Sequence, residues 1–296
     1  MERVKSRPVI YRAARKVWII LDMIKFEHTL FALPFALIAA IVAANGVPKA
    51  ATLLWILVAM VGARSSAMAF NRIVDLELDR LNPRTSNRAL PKGLVSIIEA
   101  AVFAIVSAGL LVVAAYKLNP LAFALSPAAL VVILGYSYTK RFTVWSHVVL
   151  GLALSIAPAG AWIAVTGGLD AAPLILCAAV VFWTAGFDII YSLQDVEFDR
   201  MVGLKSLPQA FGVRRALLVS GFLHGLMVAS LVGFGVMTWL GLSYYMGVGL
   251  VAAFLIYEHK LVSPSDISRV NAAFFTMNGF VSVGLLIFAV LDVVVR

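Results

Sequence analysis

The chain has 296 residues, of which 62% are hydrophobic and 13% are charged. This balance excludes a soluble globular protein and predicts a polytopic membrane protein. The formal charge of +9 would suit nucleic acid, but the basic residues lie between the apolar stretches. That distribution is typical of membrane topology, so we expect no nucleic-acid partner. The single cysteine, Cys177, excludes a disulfide framework and a thiolate metal site.

We predict an all-α fold with nine transmembrane helices, because nine apolar stretches are long enough to cross a bilayer. In chain order these stretches are residues 28–45, 50–70, 94–116, 120–138, 146–166, 172–190, 213–236, 238–257 and 270–294. The whole chain, 1–296, is expected to form one domain surrounded by membrane lipid. Residues 1–27 are basic, and we predict that they form an interfacial segment before the first span.

The basic residues also predict the orientation in the membrane. If the N-terminus is cytoplasmic, 21 of the 24 Lys and Arg residues lie on the cytoplasmic side, and only Lys49, Lys117 and Arg296 lie on the other. We therefore predict an integral protein of the cell inner (plasma) membrane whose N-terminus is in the cytoplasm.

An acidic motif ends the second predicted helix. Asn71, Asp75 and Asp79 follow one another at steps of four residues. If the helix continues through them, one amide and two carboxylates project from a single face. This face would lie at the cytoplasmic edge of the membrane, where buried carboxylates are functional by default.

A second acidic motif ends the sixth predicted helix. Asp195 and Asp199 repeat the four-residue step, and Asp188 lies about two turns upstream. Like charges this close are unfavourable unless a cation joins them, and hard oxygen ligands on rigid helices suit Mg²⁺, which usually brings a phosphate with it. The candidate metal ligands of the two motifs are Asn71, Asp75, Asp79, Asp188, Asp195 and Asp199.

The two motifs indicate an internal repeat. They are 120 residues apart with four helices between equivalent points, so both copies have the same orientation. We predict two four-helix halves and one added helix, with the acidic faces together at one mouth. The long polar segments 71–93 and 191–212 follow the motifs, and we expect them to be functional lids.

These residues resemble a known family, the UbiA-type intramembrane aromatic prenyltransferases typified by 4-hydroxybenzoate polyprenyltransferase. The first acidic motif with Thr85–Gly93 resembles the family's first signature, and the second motif with Gly203–Ser206 resembles the second. Tyr136–Arg141 resembles the basic motif after the fourth helix. Arg72 departs from the pattern because Asp is frequent at that place, and Ala89 replaces a frequent Pro.

The resemblance implies an all-helical bundle around a central cavity open toward the lipid, which uses Mg²⁺ to hold a polyprenyl diphosphate for transfer to a small aromatic acid. The candidate catalytic residues are Asp75, Asp79, Asp195, Asp199 and Tyr191, the last as an aromatic ring beside the allylic cation. The candidate diphosphate-binding residues are Arg64, Asn71, Arg88, Lys140, Arg141 and Lys205. The alternative for the basic residues is the positive-inside bias alone. For His147, His224 and His259 we predict only helix-end or packing roles.

The leading functional hypothesis is Mg²⁺-dependent transfer of a polyprenyl group from an allylic diphosphate to 4-hydroxybenzoate or a related naphthoate, in ubiquinone or menaquinone biosynthesis. The alternative from another class is a cation-coupled secondary transporter that uses the duplicated carboxylates. Carboxylates in the middle of the membrane and an inverted repeat would favour the transporter. A catalytically idle scaffold is a third possibility, and it predicts no Mg²⁺-dependent binding of a diphosphate analogue.

Overall fold

A computed structural model describes residue 16, residues 18–24 and residues 29–295 of the chain. Within these residues all regular elements are helices, and one isolated β-bridge joins Ser263 to Asp266. The all-α prediction is therefore confirmed for the described part. Most of the predicted interfacial segment, 1–27, lies outside it.

The helices follow the apolar stretches of the sequence closely. In chain order they are α1 (Thr29–Ala44), α2 (Ala50–Val74), α3 (Leu76–Leu81), α4 (Ile97–Leu118), α5 (Pro120–Thr139), α6 (Ser146–Thr166), α7 (Ala171–Ser192), α8 (Val196–Val202), α9 (Leu207–Phe211), α10 (Val213–Met237), α11 (Leu242–Leu261) and α12 (Asn278–Val295). A short helical stretch, Val270–Ala272, and a π-helical turn, Ala273–Met277, lead into α12.

Seven helices in the described part are long and apolar enough to cross a membrane. Two predicted spans correspond to α1, which has 16 residues, and to α11, and neither is among the seven. The count of nine spanning helices is therefore not confirmed. The outer faces of α4 and α5 expose large apolar side chains such as Ile98, Ile105 and Val131, as expected for helices that contact lipid.

Close helix packing shapes the bundle around its centre. In the first half α2 packs on α4, in the second half α7 packs on α10 and α6, and α1 packs on α6 across the halves. A Cβ atom at Gly62 would lie 2.7 Å from the carbonyl oxygen of Ser107, and one at Gly151 would lie 2.6 Å from that of Val181. Glycine is therefore needed at both crossings, because small residues let membrane helices approach closely.

Each acidic motif interrupts its helix at the middle aspartate. Asp75 (φ −93°, ψ 6°) separates α2 from α3, and Asp195 (φ −107°, ψ 2°) ends a 3₁₀ turn that separates α7 from α8. The expectation of an uninterrupted helix across each motif is wrong at these points. At the first break, Arg141 Nη2 donates to the carbonyl oxygen of Val74 at 2.8 Å. The same guanidinium forms an ion pair with Asp75.

The break leaves the spacing of the first motif nearly helical. The backbone N–H of Asp75 donates to the carbonyl of Asn71 at 2.9 Å, and that of Asp79 donates to the carbonyl of Asp75 at 2.7 Å. The three side chains therefore still share one side of the chain, as the four-residue spacing predicts.

Candidate active site

A cavity of about 730 Å³ lies inside the bundle. Side chains of both acidic motifs line it together with most of the predicted basic residues. The predicted site residues on its wall are Arg64, Asn71, Asp75, Asp79, Arg88, Lys140, Asp188, Tyr191, Asp195, Asp199 and Lys205. Arg141 is not on the wall and contacts backbone carbonyls and Asp75 behind it. The structure therefore brings the two motifs together, as the parallel repeat predicts.

Most of the cavity wall is apolar. Along α6 the wall extends from Ser146 to Ile163, a distance of about 25 Å at 1.5 Å per residue. Many of the lining residues between these ends are small, including Ala153, Ala157 and Gly160. The cavity thus joins a charged end to a long apolar part.

Asp75 is the most enclosed of the motif carboxylates, with 4% of its side chain exposed. Lys140 Nζ lies 2.6 Å from its Oδ2, Arg141 Nη2 lies 3.1 Å from its Oδ1, and Asn71 Nδ2 donates to Oδ2 at 3.1 Å. Lys140 and Arg141 follow α5 directly, so the end of that helix places both cations at the cavity. The charge of Asp75 is therefore compensated by the chain itself.

The loop after α3 compensates Asp79. Arg88 Nη1 donates to both carboxylate oxygens of Asp79, at 2.7 and 2.9 Å, and Thr85 Oγ1 donates to its backbone carbonyl at 3.2 Å. The side chain of Asp79 is 8% exposed and that of Arg88 is 27% exposed. This loop belongs to the polar segment that the sequence predicts to be a lid.

Arg84 connects the two halves, and the sequence interpretation missed it. Its Nε donates to Asp195 Oδ1 at 3.0 Å, its Nη2 contacts Asp195 Oδ2, and its Nη1 donates to the Tyr191 hydroxyl at 2.8 Å. Burial alone would lower the pKa of Arg84, but the hydrogen bond to Asp195 and the negative charge of Asp195 outweigh burial, so the pKa of Arg84 is raised. Asn82 Nδ2 adds a further bond to Asp195 at 3.0 Å. The sequence offered one indication of this role, because Arg84 is a basic residue in the polar segment 71–93.

Asp188 and Asp199 have uncharged hydrogen-bond partners. His147 Nδ1 lies 2.7 Å from Asp188 Oδ2, and His147 Nε2 accepts from the backbone N–H of Leu207 at 3.4 Å, which assigns the proton to Nδ1. Ser206 Oγ donates to Asp199 Oδ2 at 2.8 Å. The prediction of only a helix-end or packing role for His147 is therefore wrong, because its ring contacts a motif carboxylate.

Arg72, the departure from the family pattern, is buried beside the first motif. Its Nε donates to the carbonyl oxygen of Met23 at 3.2 Å, and its Nη1 lies 3.5 Å from Asn71 Oδ1. The Asn71 oxygen thus faces a guanidinium, while its amide nitrogen faces Asp75. A metal that used this oxygen would compete with Arg72.

The donor chemistry of the cavity fits Mg²⁺, because the six predicted ligands offer only carboxylate and amide oxygens. In the described residues, however, no three Asp, Glu, His or Cys side chains form a group that would hold a metal ion. Basic side chains instead form ion pairs with the carboxylates of Asp75, Asp79 and Asp195. Binding of a metal ion to Asp75, Asp79 or Asp195 therefore requires these basic side chains to move away from the carboxylates.

Comparison with known proteins gives a consistent result. The model of the UbiA prenyltransferase family matches residues 32–280. The chain is 32% identical over 277 residues to a protein named 4-hydroxybenzoate octaprenyltransferase from Vibrio parahaemolyticus, which covers 93% of this chain and 97% of that protein. A protein of the same name from Nitrosospira multiformis is 33% identical over 259 residues, 86% of this chain and 87% of that protein.

Solved structures have the same fold. An apo structure of a UbiA homologue from Aeropyrum pernix has a TM-score of 0.82 and 33% identity, and the match covers 90% of this chain and 98% of that one. A UbiA homologue from Archaeoglobus fulgidus, solved with GPP and Mg²⁺, has a TM-score of 0.72 and 22% identity over 93% and 99% of the two chains. Neither comparison supports the transporter alternative.

Proposed function

The chain belongs to the UbiA prenyltransferase family, and from that membership we propose that this integral membrane prenyltransferase uses Mg²⁺ to transfer a polyprenyl group from an allylic diphosphate to an aromatic carboxylic acid. The first acceptor to test is 4-hydroxybenzoate, because relatives carry the name 4-hydroxybenzoate octaprenyltransferase, and a related naphthoate is the second. Either product would be a precursor of ubiquinone or menaquinone.

One observation carries the proposal. Oxygen ligands and basic side chains from both halves meet at one end of a cavity whose remaining wall is apolar. The charged end suits a diphosphate with its counterions, and the apolar part suits a polyprenyl chain. The homologue from Archaeoglobus fulgidus was solved with GPP and Mg²⁺, which supports the same pairing of ligand and metal.

The basic side chains would exchange partners when the substrate arrives. Arg84, Arg88 and Lys140 each bond a motif carboxylate in this structure. Mg²⁺, when bound, would neutralise the diphosphate and stabilise the charge that develops as it leaves. The three cations, released from the carboxylates, would then bind diphosphate oxygens through charge-assisted hydrogen bonds. Lys205, on the cavity wall, is available for the same contact.

The chain's residues would then protect the reactive intermediate. Departure of the diphosphate leaves an allylic cation, and the ring of the acceptor attacks it. Tyr191 lines the cavity and accepts a hydrogen bond from Arg84, which also bonds Asp195, so its ring can stabilise positive charge close to the carboxylates. Arg64 lines the cavity about two helical turns before Asn71, and a cation there would bind an anionic group of either substrate. The apolar wall excludes water.

The proposal includes the membrane arrangement. In this arrangement all nine predicted helices cross the inner membrane, including α1, which has 16 residues, and α11, which has 20. The N-terminus and the charged end of the cavity lie on the cytoplasmic side, since 21 of the 24 Lys and Arg residues then fall on that side. Cysteine labelling in intact cells at exposed loop positions tests this orientation.

Paired substitutions test the chemistry. Asp75→Asn and Asp195→Asn are expected to lower prenyl transfer by about a hundredfold or more, because each removes a charged oxygen ligand while keeping the side-chain shape. Glu77→Gln and Glu197→Gln are the matched controls, since both residues are exposed members of the same motifs and neither lines the cavity. Purified protein is assayed with octaprenyl diphosphate and a panel of aromatic acids. Undiminished transfer by the two aspartate variants would contradict the proposal.

A further inference from the structure

A buried polar cluster lies outside the charged end of the cavity, at the junction of α7, α11 and the π-helical turn. Asn278 and Glu258 are completely buried there. Trp183 Nε1 donates to Asn278 Oδ1 at 2.7 Å, and Asn278 Nδ2 lies 3.4 Å from Glu258 Oε1. Polar side chains inside an apolar bundle are costly unless they are bonded, so this cluster needs a reason.

The cluster is bonded to the backbone of the π-helical turn Ala273–Met277. The backbone N–H of Asn278 donates to the carbonyl of Phe275, whereas in a regular α-helix it would donate to that of Phe274. The Asn278 side chain compensates, because its Nδ2 donates to the Phe274 carbonyl at 2.8 Å. One buried amide thus joins the turn to α7 and α11. Single π-helical turns occur often at functional sites.

The turn presents aromatic rings to the cavity. Phe274 and Phe275 line the cavity together with Tyr191 and Phe187. The ring centroids of Phe274 and Tyr191 are 4.2 Å apart with an interplanar angle of 31°, and Phe274 lies 5.3 Å from Phe187 edge to face. Tyr191 in turn bonds Arg84, which holds Asp195. This group of rings, Phe187, Tyr191, Phe274 and Phe275, is therefore an aromatic wall next to the carboxylates.

We propose that Asn278 is a positioning residue, which holds the π-helical turn so that Phe274 completes the aromatic wall and keeps the allylic cation away from water. The inference rests on the proposed function. When the C1–O bond of the allylic diphosphate breaks, its electron pair leaves with the diphosphate. C1 then bonds either to a ring carbon of the acceptor, which loses a proton, or to a water oxygen, which loses a proton and gives prenyl alcohol. Aromatic faces stabilise the cation and offer no nucleophile.

The test measures the ratio of the two products that form from the allylic cation, prenyl alcohol and prenylated acceptor. Phe274→Leu and Asn278→Ala are expected to raise the ratio of prenyl alcohol to prenylated acceptor about tenfold, the effect of losing one desolvated cation–π contact. KM for the diphosphate is expected to stay within about twofold, because the carboxylates and basic residues are unchanged. Phe280→Leu is the control, since Phe280 is an exposed ring on α12 that does not line the cavity.

Trp183→Phe adds a variant that keeps an aromatic ring at this buried position and removes the part of the indole whose N–H bonds Asn278. It is expected to raise the alcohol ratio less than Asn278→Ala does, and it decides the matter if Asn278→Ala does not fold. The inference is overturned if the wild-type enzyme is active and the Phe274→Leu and Trp183→Phe variants give the same ratio of prenyl alcohol to prenylated acceptor as the wild type. A wild-type enzyme that releases no diphosphate from any allylic substrate would instead refute the proposed function.

Discussion

Replacing Lys140 with methionine is expected to change the affinities for Mg²⁺ and for the diphosphate in opposite directions. Lys140 Nζ lies 2.6 Å from Asp75 Oδ2, so the ammonium occupies a contact that a metal ion would need. Removing it frees the carboxylate for Mg²⁺ when no substrate is present. The same change removes a cation that, in the proposed mechanism, binds the diphosphate.

The size of the first effect follows from the geometry. Two unit charges about 4 Å apart near a protein surface attract by about 4 kcal/mol. The side chain of Lys140 is 35% exposed, and solvent screening reduces the net contribution of such a pair to about 1 kcal/mol. Arg141, which lies 3.1 Å from Asp75, is unchanged by the substitution. The Mg²⁺ dissociation constant is therefore expected to fall roughly fivefold. Loss of a charge-assisted hydrogen bond is expected to weaken diphosphate binding about tenfold.

Isothermal titration of detergent-solubilised protein measures both affinities. Mg²⁺ is titrated first without substrate, and a non-reactive thiodiphosphate analogue is then titrated into the Mg²⁺-saturated protein. Lys92→Met is the matched control, because Lys92 is an exposed lysine that does not line the cavity. If Lys140→Met weakens Mg²⁺ binding, or leaves the analogue's affinity unchanged, the idea that Lys140 exchanges one partner for the other is wrong.

Three further changes test other contacts. Arg84→Lys is expected to lower kcat/KM about tenfold and Arg84→Ala more, because lysine keeps the charge but not the bidentate geometry. Gly151→Ala is expected to lower the melting temperature by about 5 °C through a backbone clash between α6 and α7, whereas Gly109→Ala, with open space around it, has little effect. Asp199→Asn is expected to weaken substrate-free Mg²⁺ binding, measured by the same titration, more than Asp75→Asn does.

The sequence predicted the positions of the helices well, because apolar stretches of membrane length are a strong signal. It did not predict the breaks at Asp75 and Asp195, since local spacing continues as a helix through both. The first break accompanies a hydrogen bond from Arg141 to the Val74 carbonyl, 67 residues away in the chain. Contacts of that kind depend on how helices pack against one another, and the spacing of residues within a motif carries no information about that packing.

The candidate site was likewise predicted only in part. All six predicted metal ligands line the cavity, because the duplicated carboxylates mark one end of each half. Their partners were not predicted, since Arg84 and His147 carry no pattern of their own and act only through contacts formed in three dimensions. A repeated motif therefore identifies where charge accumulates, whereas the fold decides which side chain compensates each charge.

The compensation is unequal between the two motifs, and this inequality bears on the order of binding. In the first motif Asp75 and Asp79 are both paired with Lys or Arg, and in the second the same is true of Asp195. Asp199 accepts a hydrogen bond from the Ser206 hydroxyl. A metal ion displaces this hydroxyl at lower cost than it displaces a Lys or Arg side chain, because no ion pair is broken. The second motif is thus the side of the cavity where Mg²⁺ would bind first. The cations of the first motif would be released as the diphosphate arrives.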